Sequence, residues 1–421
     1  MSGLRVAMLT TFYPPFNFGG DGIGIRRFSR GLASLGHHVT VIHDRAAFEF
    51  LNSGPQPTPM EPDEGIEVIT LGGLSGMLPA LITQQTGRSG MRRRELKRIL
   101  SEGSFDVINY HNISLLGGVG VYEFGDAVKI HMAHDHWLVC PSHVLWRHGE
   151  ELCDDRECLR CVLKYRRPPQ LWRHTGLLAR KGRCVDTFIA MSQFSADKHQ
   201  EMGFPFPMEV LPYFLGEKEP AKVEASPVHP KPFFLFVGRL EAIKGLGEVI
   251  ELFRDLPHQD LLIAGDGGER ASLEAQAEGC SNVRFLGRLE SAQLDACYQQ
   301  AQALIVPSLC YETFGIILIE AFRQGTPVIA RRLGPFPEIV EKAGAGSLFT
   351  TTDELRRAVN CFADESARRE TLGSAGRRAF EANYSETVVM PRYLELMAEA
   401  ATKRGRLEVA SRARASIEAV K

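Results

Sequence analysis

The sequence predicts an α/β protein with two Rossmann-like domains, each built on a doubly wound parallel sheet, that face each other across a cleft. The chain has 421 residues, more than one ordinary hydrophobic core accommodates. Short apolar runs of strand character alternate with helical segments in both halves, which is typical of βαβ units. A stretch rich in Pro, Lys and Glu at about 211–232 separates the two series, and we interpret it as a hinge.

The N-terminal half begins with a predicted strand at 4–10 and a loop rich in Pro and Gly at 13–24. A helix is predicted from about residue 25 to residue 35, because Gly36 ends it, and the next strand covers 39–42. Further strands are predicted at 66–71, 105–110, 127–133 and 187–191.

The C-terminal half repeats this alternation. Its predicted strands are 232–237, 260–264, 283–286, 303–306 and 327–330. One intervening helix is predicted from Gly315 to Gln324, where Gly325 follows. The region after 386 has helical composition, and we expect the last twenty residues to be an additional, mobile helix or tail.

Two carboxylates flank this predicted helix start. Glu312 and Glu320 are separated by seven mostly apolar residues. Glu312 lies in the loop at the carboxyl end of the 303–306 strand, and Glu320 lies about one and a half turns into the helix. The alternative interpretation makes both of them solvated surface residues, but their apolar neighbours argue against it.

The helix start itself predicts an anion site. The amides of Phe314, Gly315 and Ile316 have no partners within the helix, and the helix dipole is positive at this end. A phosphate-bearing ligand between two carboxylates that bind hydroxyls is the chemistry of a nucleotide sugar. We therefore interpret the segment as a nucleotide-sugar site.

Composition narrows the class of protein. The net charge of -2 argues against a general nucleic-acid binder. No apolar run approaches the length of a membrane span, and the first strand does not resemble a signal peptide. Nine cysteines, an odd number, indicate a reducing compartment, and we expect a cytoplasmic protein.

The segment around Glu312 and Glu320 resembles the E-x7-E motif of GT4-type retaining glycosyltransferases of the GT-B fold, the bacterial "glycosyl transferases group 1" type. The resemblance extends over nearly the whole chain. It implies an N-terminal acceptor-binding domain at 1–213, with a cysteine-containing insertion at about 140–184. A hinge at 214–231 and a nucleotide-sugar-binding domain at 232–385 follow. The first helix of 386–421 would cross back to the N-terminal domain.

The resemblance also implies an activity. A sugar would move from a nucleotide-diphosphate donor, carried on UDP or GDP, to a sugar, lipid-linked or small-molecule acceptor. The anomeric configuration would be retained, no catalytic metal would be needed, and the product would be a polysaccharide, lipopolysaccharide or other glycoconjugate. The alternatives are an epimerase or phosphorylase of the same fold, or an inactive nucleotide-sugar-binding module.

Two cations occupy the carboxyl edge of the second predicted sheet. Arg239, which follows Gly238, and Lys244 stand where a pyrophosphate would arrive. The resemblance implies that both bind the donor diphosphate and stabilise the leaving group. The alternative is that they pair with surface carboxylates such as Glu241.

The resemblance assigns the remaining donor residues. Glu320 would accept hydrogen bonds from the ribose hydroxyls, and Glu312 would contact the donor sugar. Gly238, Thr313 and the amides from Phe314 to Ile316 would complete the donor site.

In the first domain, Gly19 and Gly20 lie in the loop after the first strand, where glycines allow the backbone to approach a ligand closely. They are assigned to donor binding. The alternative, a dinucleotide fingerprint, does not fit the spacing of the glycines or the length of the loop. His111 follows a predicted strand and matches the active-site histidine of the resembled family, although a lone histidine is more often structural. The run from His134 to Trp137 receives a structural or acceptor-shaping role.

Four cysteines form a C-x12-C-x4-C-x2-C pattern, namely Cys140, Cys153, Cys158 and Cys161. Their spacing suggests a structural zinc site. An iron–sulfur cluster that includes Cys184, reduced thiols and a disulfide are the alternatives.

Two basic stretches lie in the N-terminal half, at 88–98 and 164–183. Each contains apolar residues, and such a combination holds proteins at anionic membrane surfaces. We consider peripheral contact with the inner face of a membrane. A solvated helix face or a groove for an anionic soluble acceptor explains the stretches as well.

Overall fold

Two parallel β-sheets form the cores of two separate units of the chain. The computed structural model describes residues 3–52, 56–72, 78–216 and 227–418. The first unit contains Met1–Phe214 and Glu386–Lys421, and the second contains Leu215–Ser385. The predicted hinge at 214–231 includes this boundary, and its residues 217–226 lie outside the described part of the chain.

The first unit alternates strands and helices around one sheet. Its strands are β1 (Arg5–Leu9), β2 (His38–Asp44), β3 (Ile66–Leu71), β4 (Val107–Tyr110), β5 (Val128–Ala133), β6 (Trp146–Arg147), β7 (Glu151–Leu152), β8 (Thr187–Ala190) and β9 (Met208–Val210). Its helices before residue 214 are α1 (Gly20–Ser34), α2 (Arg45–Leu51), α3 (Leu78–Thr86), α4 (Arg93–Glu102), α5 (Cys158–Lys164), α6 (Leu177–Gly182) and α7 (Gln193–Glu201). The sheet has the order β3-β2-β1-β4-β5-β8-β9 with parallel neighbours, and β6 and β7 form a separate antiparallel hairpin.

The second unit repeats the architecture. Its strands are β10 (Phe233–Val237), β11 (Asp260–Ala264), β12 (Val283–Gly287), β13 (Leu304–Val306), β14 (Val328–Arg331) and β15 (Gly346–Phe349). Its helices are α8 (Leu246–Arg254), α9 (Arg270–Gln276), α10 (Ser291–Gln300), α11 (Ile316–Arg323), α12 (Phe336–Ala343), α13 (Thr352–Asp364) and α14 (Ser366–Asn383). The sheet order is β12-β11-β10-β13-β14-β15, again with parallel neighbours.

The sheet topology locates the ligand-binding edges. Residues 6–9 of β1 and 233–236 of β10 are buried, because helices cover both faces of each sheet. The strand order changes direction between β1 and β4 and between β10 and β13. In doubly wound sheets ligands bind outside the carboxyl ends of the strands at such points. This arrangement confirms the predicted fold class.

Every strand predicted from the sequence is present. The strands β9 and β15 and the hairpin of β6 and β7 were not predicted. They are short and only partly buried, so their apolar signal is weak.

The predicted start of the first helix is wrong. Helix α1 begins at Gly20 rather than near residue 25, so the glycines lie inside a helix that their propensity disfavours. Close packing explains them: a Cβ on Gly24 would lie 2.5 Å from the Tyr213 ring, and one on Gly22 would lie 2.8 Å from the Asn17 side chain. Tertiary packing therefore overrides local propensity here.

The chain end is a packed helix, which corrects the expectation of a mobile tail. Helix α15 (Glu386–Lys403) lies in the first unit, and α16 (Leu407–Glu418) packs against it. Ala410 and Ala413 of α16 are buried, and Arg412 forms an ion pair of 3.0 Å with Asp106. None of the helices in the described residues is long and apolar enough to cross a bilayer.

Candidate active site

Two loops meet at the carboxyl edge of the second sheet. The loop after β13 is held against the loop after β10 by a hydrogen bond of 2.8 Å from the Leu309 amide to the Ile243 carbonyl. Gly245 has a φ of +70°, and a Cβ there would lie 2.2 Å from the Pro307 carbonyl oxygen. The Arg331 Nε donates to that same oxygen over 3.1 Å. Only glycine fits at position 245, and the close approach sets the distance between the loops.

The two loops bring Lys244 to Glu312. Lys244 Nζ lies 2.5 Å from Glu312 Oε1, and Ser308 Oγ donates to the same oxygen over 3.1 Å. Burial alone would raise the pKa of Glu312, but the charge of Lys244 and the hydrogen bonds from Lys244 and Ser308 outweigh it, so the pKa lies below its usual value. Burial would lower the pKa of Lys244, and Glu312 reverses this, so the pKa is raised. Both groups are therefore charged at neutral pH.

Arg239 lies at the same edge and has a different partner. Its Nη1 lies 2.7 Å from Glu241 Oε1, and its side chain is 51% exposed. The alternative pairing with Glu241 is thus what the structure shows for Arg239. For Lys244 the partner is the motif carboxylate Glu312. The preceding residue, Gly238, lies against the loop after β11, since a Cβ on Gly265 would lie 1.8 Å from the Gly238 carbonyl oxygen.

Helix α11 begins at the predicted anion site. Gly315 precedes it with a φ of +98°, and a Cβ there would lie 2.7 Å from the Phe336 ring. Phe314 is buried edge-on against Tyr384, with ring centroids 5.8 Å apart. These contacts fix the turn from which the helix begins. Thr313 and Ile316 flank this turn and are partly buried.

Glu320 lies on α11 as predicted and is partly buried. Its Oε2 accepts a hydrogen bond of 3.0 Å from the hydroxyl of Tyr298, a fully buried residue of α10. The tyrosine fixes one carboxylate oxygen. The second unit thus places Arg239, Lys244 and Glu312 in loops at one edge of its sheet, and Glu320 in the helix that begins there.

The first unit has a cluster of uncharged polar groups. Strands β4 and β5 are parallel neighbours, so the residues that follow them, His111 and His134, lie side by side. His111 Nδ1 lies 2.8 Å from His134 Nε2, and His134 Nδ1 hydrogen-bonds the Tyr213 hydroxyl. Burial holds the pKa of His111 well below 6.5 and lowers that of His134 to about 4. Both imidazoles are therefore neutral at pH 7.

His111 also has an unused nitrogen. The residue is 2% exposed, and its Nε2 has no hydrogen-bond partner among the described residues. A buried polar atom of this kind calls for a partner, which a ligand hydroxyl would supply. The other first-unit residues assigned to the donor, Gly19 and Gly20, lie at the start of α1, where Asn17 Nδ2 donates to the Gly19 carbonyl over 2.8 Å.

The four cysteines of the predicted zinc site lie in one region of the first unit. All nine cysteines fall in the described ranges and are free, so the disulfide alternative is not formed. Burial, and after it the nearby thiols of Cys140, Cys158 and Cys161, raise the pKa of the Cys153 thiol to about 12. Within the described ranges, no group of three or more His, Cys, Asp or Glu side chains is arranged to hold a metal ion. Structural zinc stays a prediction.

Several residues of the two clusters were not found from the sequence. Ser308 hydrogen-bonds Glu312, Tyr298 hydrogen-bonds Glu320, and Tyr213 hydrogen-bonds His134. Arg331 donates to the Pro307 carbonyl in the loop after β13. Tyr298 is 22 residues from its partner, and Tyr213 is 79 residues from His134. Contacts between residues this far apart cannot be predicted from a local sequence pattern.

Comparisons with known proteins identify the family of the chain. The model of the "Glycosyl transferases group 1" family matches residues 217–379, and that of "Glycosyltransferase Family 4" matches residues 18–214. The two matches together cover most of the chain. The chain belongs to the GT4-type glycosyltransferases of the GT-B fold.

Relatives of the chain match it over most of its length. A glycogen synthase of Mycobacterium tuberculosis is 25% identical over 405 residues, which are 90% of this chain and 91% of the relative. Sucrose-phosphate synthase of Thermosynechococcus elongatus superimposes with a TM-score of 0.65 at 19% identity, covering 96% of this chain and 98% of the other. HepE of Anabaena, in complex with UDP and glucose, has a TM-score of 0.65 at 17% identity and covers 94% and 99%. Both solved structures have the same fold as this chain.

Proposed function

We propose that the chain transfers a sugar from a nucleotide-diphosphate sugar to an acceptor with retention of anomeric configuration and without a catalytic metal. We place the reaction in the synthesis of a polysaccharide, lipopolysaccharide or other glycoconjugate. The family and the E-x7-E residues support this proposal. So does the crystallisation of HepE, a structural neighbour, with UDP and glucose.

One observation carries the proposal: Lys244 and Glu312, 68 residues apart in sequence, meet in a partly buried ion pair at the carboxyl edge of the second sheet. The pair lies at the point where strand order changes direction, which is where ligands bind in doubly wound sheets. A diphosphate offers the negative charge that Lys244 attracts. A sugar hydroxyl would donate a hydrogen bond to the Glu312 carboxylate.

The chemical work of these residues follows from their charges. When the bond between the anomeric carbon and the diphosphate oxygen breaks, negative charge accumulates on the departing diphosphate. Lys244, Arg239 and the amides at the start of α11 are preorganised donors for that charge. Glu320, held by Tyr298, would accept hydrogen bonds from the ribose hydroxyls and position the nucleotide.

The experiment is a screen of UDP- and GDP-sugars, with candidate acceptors, for release of the nucleoside diphosphate. Proton NMR of the first-formed product then reads the anomeric configuration. We expect turnover with one donor, the same configuration in donor and product, and little change on adding a chelator. An inverted product would contradict retention, and loss of transfer with chelator would contradict the metal-free step.

The same screen distinguishes the alternatives. An epimerase would convert the donor without releasing the nucleoside diphosphate, and a phosphorylase would need inorganic phosphate. An inactive binding module would be stabilised thermally by a nucleotide sugar but would not turn it over. Each of these results would replace the proposed activity.

A further inference from the structure

We propose that the cysteine-containing segment of the first unit carries a binding site for an anionic lipid, with the lipid chain in an apolar cavity and the phosphate headgroup at Arg156 and Arg160. This site is separate from the candidate donor site of the second unit and would have a different ligand. It gives the protein a means of contacting a membrane surface.

The cavity is large and mainly apolar. Its volume is about 980 Å³, at the upper end of the range for small-molecule sites. Apolar lining residues include Leu159, Val162, Leu163, Pro169, Trp172 and Pro205. A cavity of this size and character accommodates a hydrocarbon chain better than a sugar, which needs many hydrogen-bond partners.

Helix α5 forms one wall and has two different faces. Cys161 and Val162 are buried, whereas Leu159 and Leu163, four residues apart, are 54% and 58% exposed. Leu171, next in sequence to the lining residue Trp172, is 63% exposed. Soluble proteins seldom leave large apolar side chains clustered in water unless the surface binds something.

The rim is cationic. Arg156 and Arg160 line the cavity, and Glu157 is its one acidic lining residue. That carboxylate already lies 3.0 Å from His148 Nε2 and 3.6 Å from Arg160 Nη1. Arg160 has a side chain that is 81% exposed, so its charge faces water. Excess positive charge beside an apolar cavity complements a lipid that carries a phosphate.

The arginine inside the cavity wall has a structural role instead. Arg173 stacks on the Trp172 ring at 4.7 Å and donates to the carbonyls of Trp137 and Leu138 over 2.6 and 3.3 Å. It holds the wall together, so the headgroup site is assigned to the exposed Arg156 and Arg160. A soluble phosphate would use those two arginines alone and leave the apolar cavity unused, which favours a lipid.

The other basic stretch, 88–98, exposes one large apolar side chain, that of Met91. The expectation of an apolar edge there is wrong, because Leu96, Ile99 and Leu100 are buried on the inner face of α4. Arg92 is buried as well, with Nε 2.6 Å from Asp44 Oδ2. Its cations therefore lack exposed apolar partners from that helix face.

The test is co-sedimentation of the full chain with vesicles, without any donor present. We expect binding to vesicles rich in phosphatidylglycerol, weak binding to pure phosphatidylcholine, and weakening by high salt. Leu159→Asp/Leu163→Asp should lower vesicle affinity by roughly tenfold or more. Arg156→Gln/Arg160→Gln should lower affinity for the anionic vesicles alone, also by roughly tenfold.

Leu407→Asp is the matched control, since Leu407 is 67% exposed in the same unit but distant in sequence. It should bind like the unchanged protein. Thermal unfolding of every variant, with and without a nucleotide sugar, checks the fold and reports donor binding independently of the lipid. Negligible binding to both vesicle types, equal binding to both, or unchanged binding of the two double variants would overturn the proposal. A failure of donor binding would leave these vesicle results intact.

Discussion

The candidate site residues at the edges of the two sheets differ in charge. In the second unit, Lys244 and Arg239 each face a carboxylate, at 2.5 and 2.7 Å. In the first unit, His111 and His134 are linked to each other at 2.8 Å, and burial lowers the pKa of both. The candidate site of the second unit therefore carries paired charges, and the histidine pair of the first unit carries neutral donors and acceptors.

The difference matches two kinds of ligand group. A diphosphate competes for cations that are held by nearby carboxylates, and an exposed pair such as Arg239 with Glu241 is weak enough to exchange. Neutral imidazoles suit hydroxyl groups, which bring no charge. We infer that the second unit recognises the anionic part of its substrate and that the first unit recognises an uncharged part.

The largest expected effect is on the charged edge. Lys244→Ala should lower kcat/KM for nucleoside diphosphate release by about 100- to 1,000-fold, because it removes a preorganised donor and leaves the Glu312 carboxylate without its cation. The kinetic assay of the purified variant measures this. Lys342→Ala, an exposed lysine of α12, should behave like the unchanged protein. Activity within a few-fold of normal for Lys244→Ala would remove the charged edge from the mechanism.

The stability of the folded protein should fall in acid, because His134 is held neutral in the folded state. The folded protein holds the pKa of His134 at about 4, whereas the unfolded chain binds the proton near 6.5. The folded state is therefore favoured above pH 6.5, and this stabilisation is lost as the pH falls from 6.5 towards 4. At about 1.4 kcal/mol per pKa unit, the contribution is on the order of 3 kcal/mol.

Thermal unfolding between pH 7 and pH 4 checks the sign. His134→Gln should flatten the decline in unfolding temperature, while His38→Gln, an exposed residue of the same unit, should not. An equal decline in all three proteins would mean that His134 does not carry the effect.

The predicted zinc would lie in the cysteine-containing segment of the first unit, outside the neutral histidine pair. The cysteine spacing predicts about one zinc per chain in anaerobically handled protein, lost in Cys158→Ser/Cys161→Ser with an unfolding temperature lower by roughly several degrees. Elemental analysis of both proteins measures it. Less than about a tenth of an equivalent in the unchanged protein would rule out the site.

The smallest expected effect concerns the exposed pair. Glu241→Gln removes the carboxylate that competes with a diphosphate for Arg239, so UDP or GDP should bind a few-fold more tightly. The gain should shrink at high salt, because the pair is exposed. Calorimetric titration at two salt concentrations measures both. Weaker binding would show that Glu241 supports the ligand rather than competing with it.

The sequence predicted the strands and the motif positions because both depend on short apolar runs. Glu312 and Glu320 follow a buried strand at fixed spacing, so their common edge was predictable. The start of α1 was not predictable, since glycines favour a loop locally and Tyr213 is distant in sequence. The ion-pair partners of the two cations could not be predicted either. Arg239 pairs with Glu241, two residues away, whereas Lys244 pairs with Glu312, 68 residues away.

The most direct test of the central claim is calorimetric titration of the nucleotide-sugar donor into the unchanged protein, Glu320→Ala and Arg239→Ala. Loss of a charged hydrogen-bond partner costs about 1.5–3 kcal/mol, so each variant should bind roughly tenfold to a hundredfold more weakly. Glu312→Ala should slow transfer more than it weakens donor binding. Equal donor affinity in all four proteins, with normal turnover, would contradict the assignment of the second sheet's edge as the donor site.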